Sequence, residues 1–217
     1  MYAYALLALG TAAAATLFGP TLKALPGFNN LRLFIIVVLQ KLSPAPKNLT
    51  VFTPATFSTN SPLFEIDINI HKTNSSYFKD LDESRLRLLA TLFPETFTIF
   101  SRPPFRPALA GTACTFFRPI ATLQSYEVTS KILAWDGKWV FISSAFLTTG
   151  KNRKVIATAI TKYVFKRGRE TVLPEGVFRE RGLLNGDEKS IREVNERGLR
   201  IARGLDGLMV LKELEEK

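Results

Sequence analysis

The stretch that decides how this chain can be interpreted reads Glu65-Ile66-Asp67-Ile68-Asn69-Ile70-His71-Lys72-Thr73-Asn74-Ser75-Ser76-Tyr77. Three polar residues alternate with isoleucines, so an extended backbone would place Asp67, Asn69 and His71 on one face. The helix-start residues 74–76 follow directly and predict a helix N-terminus there. The polar face therefore lies beside free N–H groups that can polarise a carbonyl or bind an anion.

This arrangement has a functional and a structural interpretation. A carboxylate, an amide and the chain's only imidazole beside a helix start form a plausible site for acyl chemistry. Alternatively, Asp67 and Asn69 cap a turn, and His71 is a core histidine whose hydrogen bonds are satisfied. The spacing alone leaves both interpretations open.

Beyond this stretch, the pattern changes from helical to β. Apolar residues at 78, 81, 88, 89 and 92 recur at helical spacing, and Pro94 ends the predicted helix. Residues 51–65 predict an extended entry strand, and strands are predicted within 108–117, 126–135, 139–146 and 155–165. Asp136-Gly137 is typical of a hairpin turn. The predicted class is α+β, with one helix lying on a curled antiparallel sheet.

The residues of this region also resemble a known family. Asp67-x-Asn69-x-His71, then Asn74 and Tyr77, then Asp82-Glu83-Ser84-Arg85 in the helix, resemble the signature of hotdog-fold thioesterases. The 4-hydroxybenzoyl-CoA thioesterase-like branch is the most similar, with its membrane-anchored THEM-type and fungal biosynthetic thioesterase-like members. The resemblance extends over residues 51–165. It implies a single hotdog, in which a curved antiparallel sheet wraps a long central helix.

The resemblance implies hydrolysis of an acyl-CoA or acyl-carrier-protein thioester, fatty acyl or polyketide-like, without a cofactor. Asp67 would be the general base or nucleophile, while Asn69 and His71 would orient the reactants. The substrate-binding residues would be those at the helix start, with the last three amides near the thioester oxygen: Asn74, Ser75, Ser76 and Tyr77. The residues expected to meet the anionic carrier are basic: Lys72, Arg102, Arg106 and Arg118.

Two other functions remain compatible with the same fold. One is a biosynthetic enzyme that uses Asp67 and His71 for dehydration, isomerisation or cyclisation. The other is a non-catalytic acyl binder, which would bind an acyl chain without turnover and tolerate Asp67→Asn.

The N-terminal segment is predicted to be a membrane anchor. Residues 2–22 carry no charge, and as a helix they would span roughly 30 Å, the thickness of a bilayer core. A peripheral or buried helix and a cleaved signal are the alternatives. The apolar run 33–39 is too short to span and is predicted to lie in the interface. Because lysines and arginines follow the anchor, we expect a single-pass protein whose catalytic domain faces the cytoplasm.

Composition limits the remaining possibilities. The chain has 217 residues and a net charge of +10, with one cysteine and one histidine, which exclude a disulfide framework and a multi-histidine metal centre. A basic chain suits anionic partners, but no nucleic-acid recognition motif is present. The predicted layout is an anchor (1–22), an interfacial helix and linker (23–50), a hotdog domain (51–166) and a charged extension (167–217).

Assembly follows from the sheet and from the resemblance. A single hotdog sheet exposes an edge, and the long apolar run 155–163 is the candidate for it. We therefore expect a two-fold homodimer with two equivalent sites near its interface.

Overall fold

The computed structural model describes residues 27–42, 48–97 and 103–205. Within these ranges the helices are α1 (Phe28–Leu42), α2 (Asn74–Leu92), α3 (Pro174–Glu180) and α4 (Glu188–Ala202). The strands are β1 (Ala55–Asn60), β2 (Arg106–Phe116), β3 (Ser125–Trp135), β4 (Trp139–Thr148), β5 (Val155–Arg167) and β6 (Glu170–Val172). The predicted α+β class and the long central helix are confirmed.

The strands form one antiparallel sheet in the order β1-β3-β4-β5-β2, with β6 beside the end of β5. The predicted Asp136-Gly137 hairpin joins β3 to β4. The carboxylate of Asp136 stabilises it by accepting the backbone amides of Lys138 and Trp139 at 2.8 and 2.7 Å. The predicted entry strand is shorter than expected, because β1 ends at Asn60 and a 3-10 turn occupies Leu63–Glu65.

The expectation that residues 155–163 form an exposed sheet edge is wrong. They lie in β5, which pairs with β4 on one side and with β2 on the other. Strand β5 is apolar because both of its faces are largely buried, and this pattern does not reveal whether a strand pairs on one edge or on both. In the described sheet, the edge strands are β1 and β2.

Helix α2 lies on the inner face of the sheet. Its residues Leu81, Leu88 and Leu92 are fully buried, whereas Phe78 is exposed. Part of the contact is polar: the hydroxyl of Ser84 lies 2.7 Å from that of Ser130, which in turn lies 2.6 Å from that of Ser144. These short hydroxyl contacts satisfy polar groups that would otherwise be buried without partners.

Helix α1 packs on α2, away from the sheet, and includes the predicted interfacial run 33–39. Among the described residues, no helix is both long enough and apolar enough to cross a bilayer. The predicted anchor at 1–22 lies outside the described residues.

The C-terminal residues pack on the same fold. The predicted boundary at 166 falls within β5, and Phe178 of α3 is fully buried in the main core with Phe93 and Trp135. Helix α4 crosses the outer face of the sheet. It approaches so closely that a Cβ on Gly198 would lie 2.2 Å from the carbonyl oxygen of Leu133.

The sequence spaces Ile191, Val194 and Ile201 as an apolar stripe of α4, and the structure follows it in part. Ile191 packs partly buried against the main core, whereas Ile201 is 54% exposed and the buried residues of the helix are Gly198 and Ala202.

Candidate active site

The stretch that was expected to be extended forms a tight turn. The Asp67 amide donates to the His71 carbonyl at 2.8 Å, and the Ile70 amide donates to the Asp67 carbonyl at 3.0 Å. Ile70 has a φ of 60°, a left-handed conformation that β-branched residues rarely adopt. The predicted common face of an extended strand is therefore wrong.

The turn nevertheless brings the predicted polar residues together. Oδ1 of Asp67 accepts hydrogen bonds from the backbone amides of Asn69 at 2.8 Å and His71 at 3.2 Å. This is an Asx-type turn, in which a side-chain carboxylate replaces a backbone acceptor. The capping interpretation of Asp67 is thus confirmed, whereas Asn69 is exposed and His71 is only half-buried.

The same contacts determine the charge state of Asp67. Desolvation by neighbouring atoms acts to raise its pKa, but the amides of His71 and Asn69 outweigh it, and the pKa lies below its ordinary value of 3.8. The side chain of Asn69 and the charge of His71 act in the same direction. Because the carboxylate is also exposed, the turn presents a fixed anion to solvent at neutral pH.

Helix α2 starts three residues after His71. Thr73 is its N-cap residue, and the carbonyl of Thr73 accepts both the amide and the hydroxyl of Ser76, at 3.0 and 2.8 Å. Asn74 and Ser75 are exposed, while Ser76 and Tyr77 are buried. The helix start therefore offers the first two of the predicted substrate-binding residues to solvent and turns the other two side chains inward.

Tyr77 belongs to the core. Its ring packs against Phe116 and Phe146, each with a centroid distance of 4.9 Å. The pKa of Tyr77 is raised to about 12, chiefly by burial and further by the nearby Cys114 and Asp80. Burial likewise raises the pKa of the Cys114 thiol to about 11. Neither side chain is suited to act as a nucleophile at neutral pH, because each stays protonated.

A buried ionic cluster lies at the base of the turn, and sequence reasoning missed it. Nζ of Lys72 lies 2.7 Å from Oε2 of Glu65 and 3.0 Å from Oδ2 of Asp80, and the side chains of all three are at most 2% exposed. The hydroxyl of Tyr126 donates to the same Asp80 oxygen at 2.5 Å. The expectation that Lys72 meets an anionic carrier is wrong, because its ammonium is enclosed by these groups.

The residues 82–85, which carried part of the resemblance, also have structural contacts. Glu83 pairs with Arg32 of α1 and with Arg87, while the guanidinium of Arg85 is buried. Nη1 of Arg85 donates to the hydroxyls of Thr112 at 3.0 Å and Thr161 at 2.8 Å. These contacts tie α2 to α1 on one side and to strands β2 and β5 on the other.

The connection between β2 and β3 forms one wall of the site. The hydroxyl of Thr122 donates to the Ile70 carbonyl at 2.9 Å, and the Lys72 amide donates to the Ile120 carbonyl at 2.8 Å. The tip of the turn remains uncovered: Ile68 is 98% exposed and Ile70 is 66% exposed. Two exposed isoleucines beside an ionised carboxylate form a surface suited to an apolar ligand or to a second protein surface.

Comparison with known proteins identifies the family. The model of the thioesterase-like superfamily matches residues 62–181, more than half of the chain, including the Asp67 turn and α2. The chain belongs to this thioesterase-like superfamily. The resemblance to hotdog-fold thioesterases is thereby confirmed.

Two fungal relatives illustrate the similarity. The thioesterase poxG of Penicillium oxalicum is 37% identical over an alignment that covers 65% of this chain and 57% of poxG. The probable thioesterase atnL of Emericella nidulans is 34% identical over 78% of this chain and 70% of atnL. The chain thus spans little more than half of the length of poxG.

A solved structure confirms the fold. The probable thioesterase YbaW of Escherichia coli superposes with a TM-score of 0.50 and 17% identity, covering 59% of this chain and 96% of YbaW. At this level of identity the likeness establishes a shared fold.

Proposed function

We propose that this protein hydrolyses the thioester of an acyl-CoA or of an acyl carrier protein. The observation that carries the proposal is the carboxylate of Asp67, which is exposed and ionised and lies in the turn six residues before the Thr73 cap of α2. In this proposal Asp67 attacks the thioester carbonyl or activates a water molecule for the attack. Asn69 and His71 orient the reactants.

The start of α2 supplies the second element of the reaction. The thioester oxygen becomes negatively charged in the transition state, and the first amides of a helix lack intrahelical acceptors. The amide of Ser76 already donates to Thr73, so we assign this role to the neighbouring exposed residues Asn74 and Ser75. One such donor contributes about 2.7–4 kcal/mol to transition-state stabilisation.

The carrier would meet the connection that follows β2. Arg118 is exposed there, a few residues before Thr122 contacts the turn, whereas Arg106 is exposed at the opposite end of β2. Arg102 lies outside the described residues. We propose that Arg118 binds the anionic phosphates of the carrier, because it lies close in the sequence to Thr122, which contacts the turn.

We further propose a two-fold homodimer that pairs along β2. This strand has eleven residues and pairs only with β5 in the described sheet, and long unpaired edges are surfaces that proteins cover. The end of β2 approaches the site, because Phe116 packs on Tyr77. A partner along β2 would therefore lie near Asp67 and the exposed isoleucines of the turn.

The activity is tested by identifying the products. Purified full-length protein is incubated with a panel of acyl-CoA and acyl-carrier-protein thioesters, and both the free thiol and the free acid are measured. Equal amounts of acid and thiol are the expected result, with release by Asp67→Asn slower by about 10²–10⁴-fold. Consumption of substrate with the thioester retained would instead favour dehydration, isomerisation or cyclisation, and tight binding without turnover would favour an acyl binder.

The dimer is tested by disulfide trapping. Single cysteines are placed along β2 in a Cys114→Ser background, and residues near the two-fold axis are expected to cross-link the two subunits. A single cysteine in the helix α4, for example Glu196→Cys, is the control because it lies on the outer face of the sheet. A monomer at micromolar concentration with full activity would contradict the proposal.

A further inference from the structure

Helix α1 presents a continuous row of apolar side chains to solvent. These side chains are between 42% and 77% exposed and comprise Leu31, Phe34, Ile35, Leu39 and Leu42. Their spacing of three or four residues places them on one face of the helix, which we call the α1 stripe. A row of five large apolar residues is more than the scattered exposure found on most soluble surfaces.

The opposite face of α1 is held against α2. Ile36 is buried, the side-chain amide of Gln40 donates to the hydroxyl of Thr91 at 3.1 Å, and Arg32 pairs with Glu83. These contacts occur along almost the whole helix, so they determine its rotation about its own axis. The α1 stripe therefore faces outward as a consequence of specific contacts, because turning it inward would break an ion pair and bury polar groups.

The charges around the stripe are positive. Helix α1 contains no acidic residue. Its Arg32 is paired with Glu83 on the opposite face, and its Lys41 is exposed in the last turn. Lys23 and Lys47 lie on either side of the helix in the sequence, and the uncharged residues 2–22 precede it. An apolar face flanked by lysines suits the boundary between the headgroups and acyl chains of an anionic membrane.

We propose that α1 lies on a lipid bilayer, with the α1 stripe inserted at the level of the headgroups and Lys41 bound to anionic lipid. Lysines that follow an apolar N-terminal segment favour the cytosolic leaflet, so the hotdog domain would face the cytoplasm. The proposal is independent of the chemistry at Asp67. It would hold the domain at the surface into which long acyl chains partition.

An environment-sensitive fluorophore on the stripe tests the proposal. In the full-length chain carrying Cys114→Ser, the label is attached to Leu39→Cys, and vesicles of phosphatidylcholine and phosphatidylserine are added. We expect a blue shift and quenching by brominated lipid. The same label at Glu196→Cys is the matched control, because α4 lies on the opposite side of the sheet from α1, and it is expected to stay in water.

Three results would overturn the proposal. The first is a protein that does not sediment with vesicles, and the second is a bound protein whose label at 39 remains in water. The third is a label at 39 that is already shielded before vesicles are added, because this would mean that the chain itself or a second copy covers the stripe.

The anionic-lipid component has its own test. Lys41→Glu in the labelled chain is expected to reduce the preference for phosphatidylserine-containing over pure phosphatidylcholine vesicles by about fivefold or more. Lys138→Glu in the β3–β4 hairpin is the control and is expected to leave the preference unchanged. An equal response of the label at 39 to both lipids in the unsubstituted Lys41 chain would overturn the assignment of an anionic surface.

Discussion

Two charged regions within residues 65–80 differ in their exposure to solvent and in the groups that they contact. In the turn, the Asp67 carboxylate is exposed, accepts backbone amides, and has a lowered pKa. In the cluster below it, Lys72 is enclosed between Glu65 and Asp80 and has almost no contact with solvent. The exposed carboxylate is accessible from solvent, whereas the buried ions contact one another and the hydroxyl of Tyr126.

The difference indicates a division of roles. A buried ion pair contributes little net stability compared with an apolar core, but the loss of one partner is costly. The cluster therefore joins the residues before and after the turn, Glu65 and Lys72, to α2 through Asp80. Since the backbone of Thr73 also donates to the Glu65 carbonyl at 2.8 Å, the two ends of the turn are joined twice. The ionic cluster and this backbone hydrogen bond therefore hold the ends of the turn in place, and the exposed carboxylate of Asp67 is not needed for that purpose.

The first prediction concerns the turn and has the largest expected effect. Asp67→Asn should lower thioester turnover by about 10²–10⁴-fold, because the variant lacks a general base. Initial rates with the best substrate measure this effect. The unfolding midpoint should stay close to that of the wild type, since the carboxylate is exposed and an amide oxygen can still accept a hydrogen bond from the Asn69 amide. Glu196→Gln, an exposed neutralisation on α4, is the control, and a near wild-type rate for Asp67→Asn would refute the assignment.

The second prediction concerns the cluster. Lys72→Met should lower the free energy of unfolding by about 3–5 kcal/mol, because two carboxylates would remain buried without a counter-charge. Denaturant titration measures the loss. The exposed Lys138→Met is the matched control and should change stability by less than about 0.5 kcal/mol.

A compensated variant distinguishes charge from packing in the cluster. Adding Glu65→Gln and Asp80→Asn to Lys72→Met should restore much of the lost stability, because the buried charges are then absent. If the triple variant is no more stable than Lys72→Met, the lysine acts through its packing, and the proposed electrostatic role of the cluster is wrong.

The third prediction concerns pH. The lowered pKa of Asp67 means that its carboxylate is ionised above 3.8, so its hydrogen bonds stabilise the turn there and are lost as the pH falls through the lower folded value. In a His71→Gln background, which removes the chain's one imidazole, kcat/KM should show no loss due to Asp67 from neutral pH down to about pH 5. An acid limb near neutral pH in this variant would contradict the assigned charge state.

The fourth prediction has the smallest effect and tests where the carrier binds. Arg118→Gln should raise KM for an acyl-CoA by about two- to fivefold at unchanged kcat, as expected for one exposed charge contact, and added salt should reduce the difference. Arg106→Gln at the other end of β2 is the control. Equal effects of both substitutions would indicate general attraction by a basic protein.

Local signals in the sequence correctly predicted several elements. The helix-start residues and Pro94 bounded α2, and Asp136-Gly137 located the hairpin, because these features depend on residues adjacent in the chain. The resemblance carried by Asp67-x-Asn69-x-His71 and the residues that follow identified the family. The alternating isoleucines led to the wrong prediction of an extended backbone, because the side chain of Asp67 accepts hydrogen bonds within its own turn that compete with extension.

Other features were decided only by the tertiary structure. Asp80 and Tyr126 are 46 residues apart, and no local pattern predicts that they share a hydrogen bond beneath the turn. The position of β5 inside the sheet likewise depends on which strands pair with it, and an apolar run is compatible with an edge or an interior strand. The sequence by itself therefore determined the central helix, the β3–β4 hairpin and the family to which the stretch around Asp67 belongs, because these signals are local. Strand order, the ionic cluster and the outward direction of the α1 stripe required the folded chain, because each arises from contacts between distant residues.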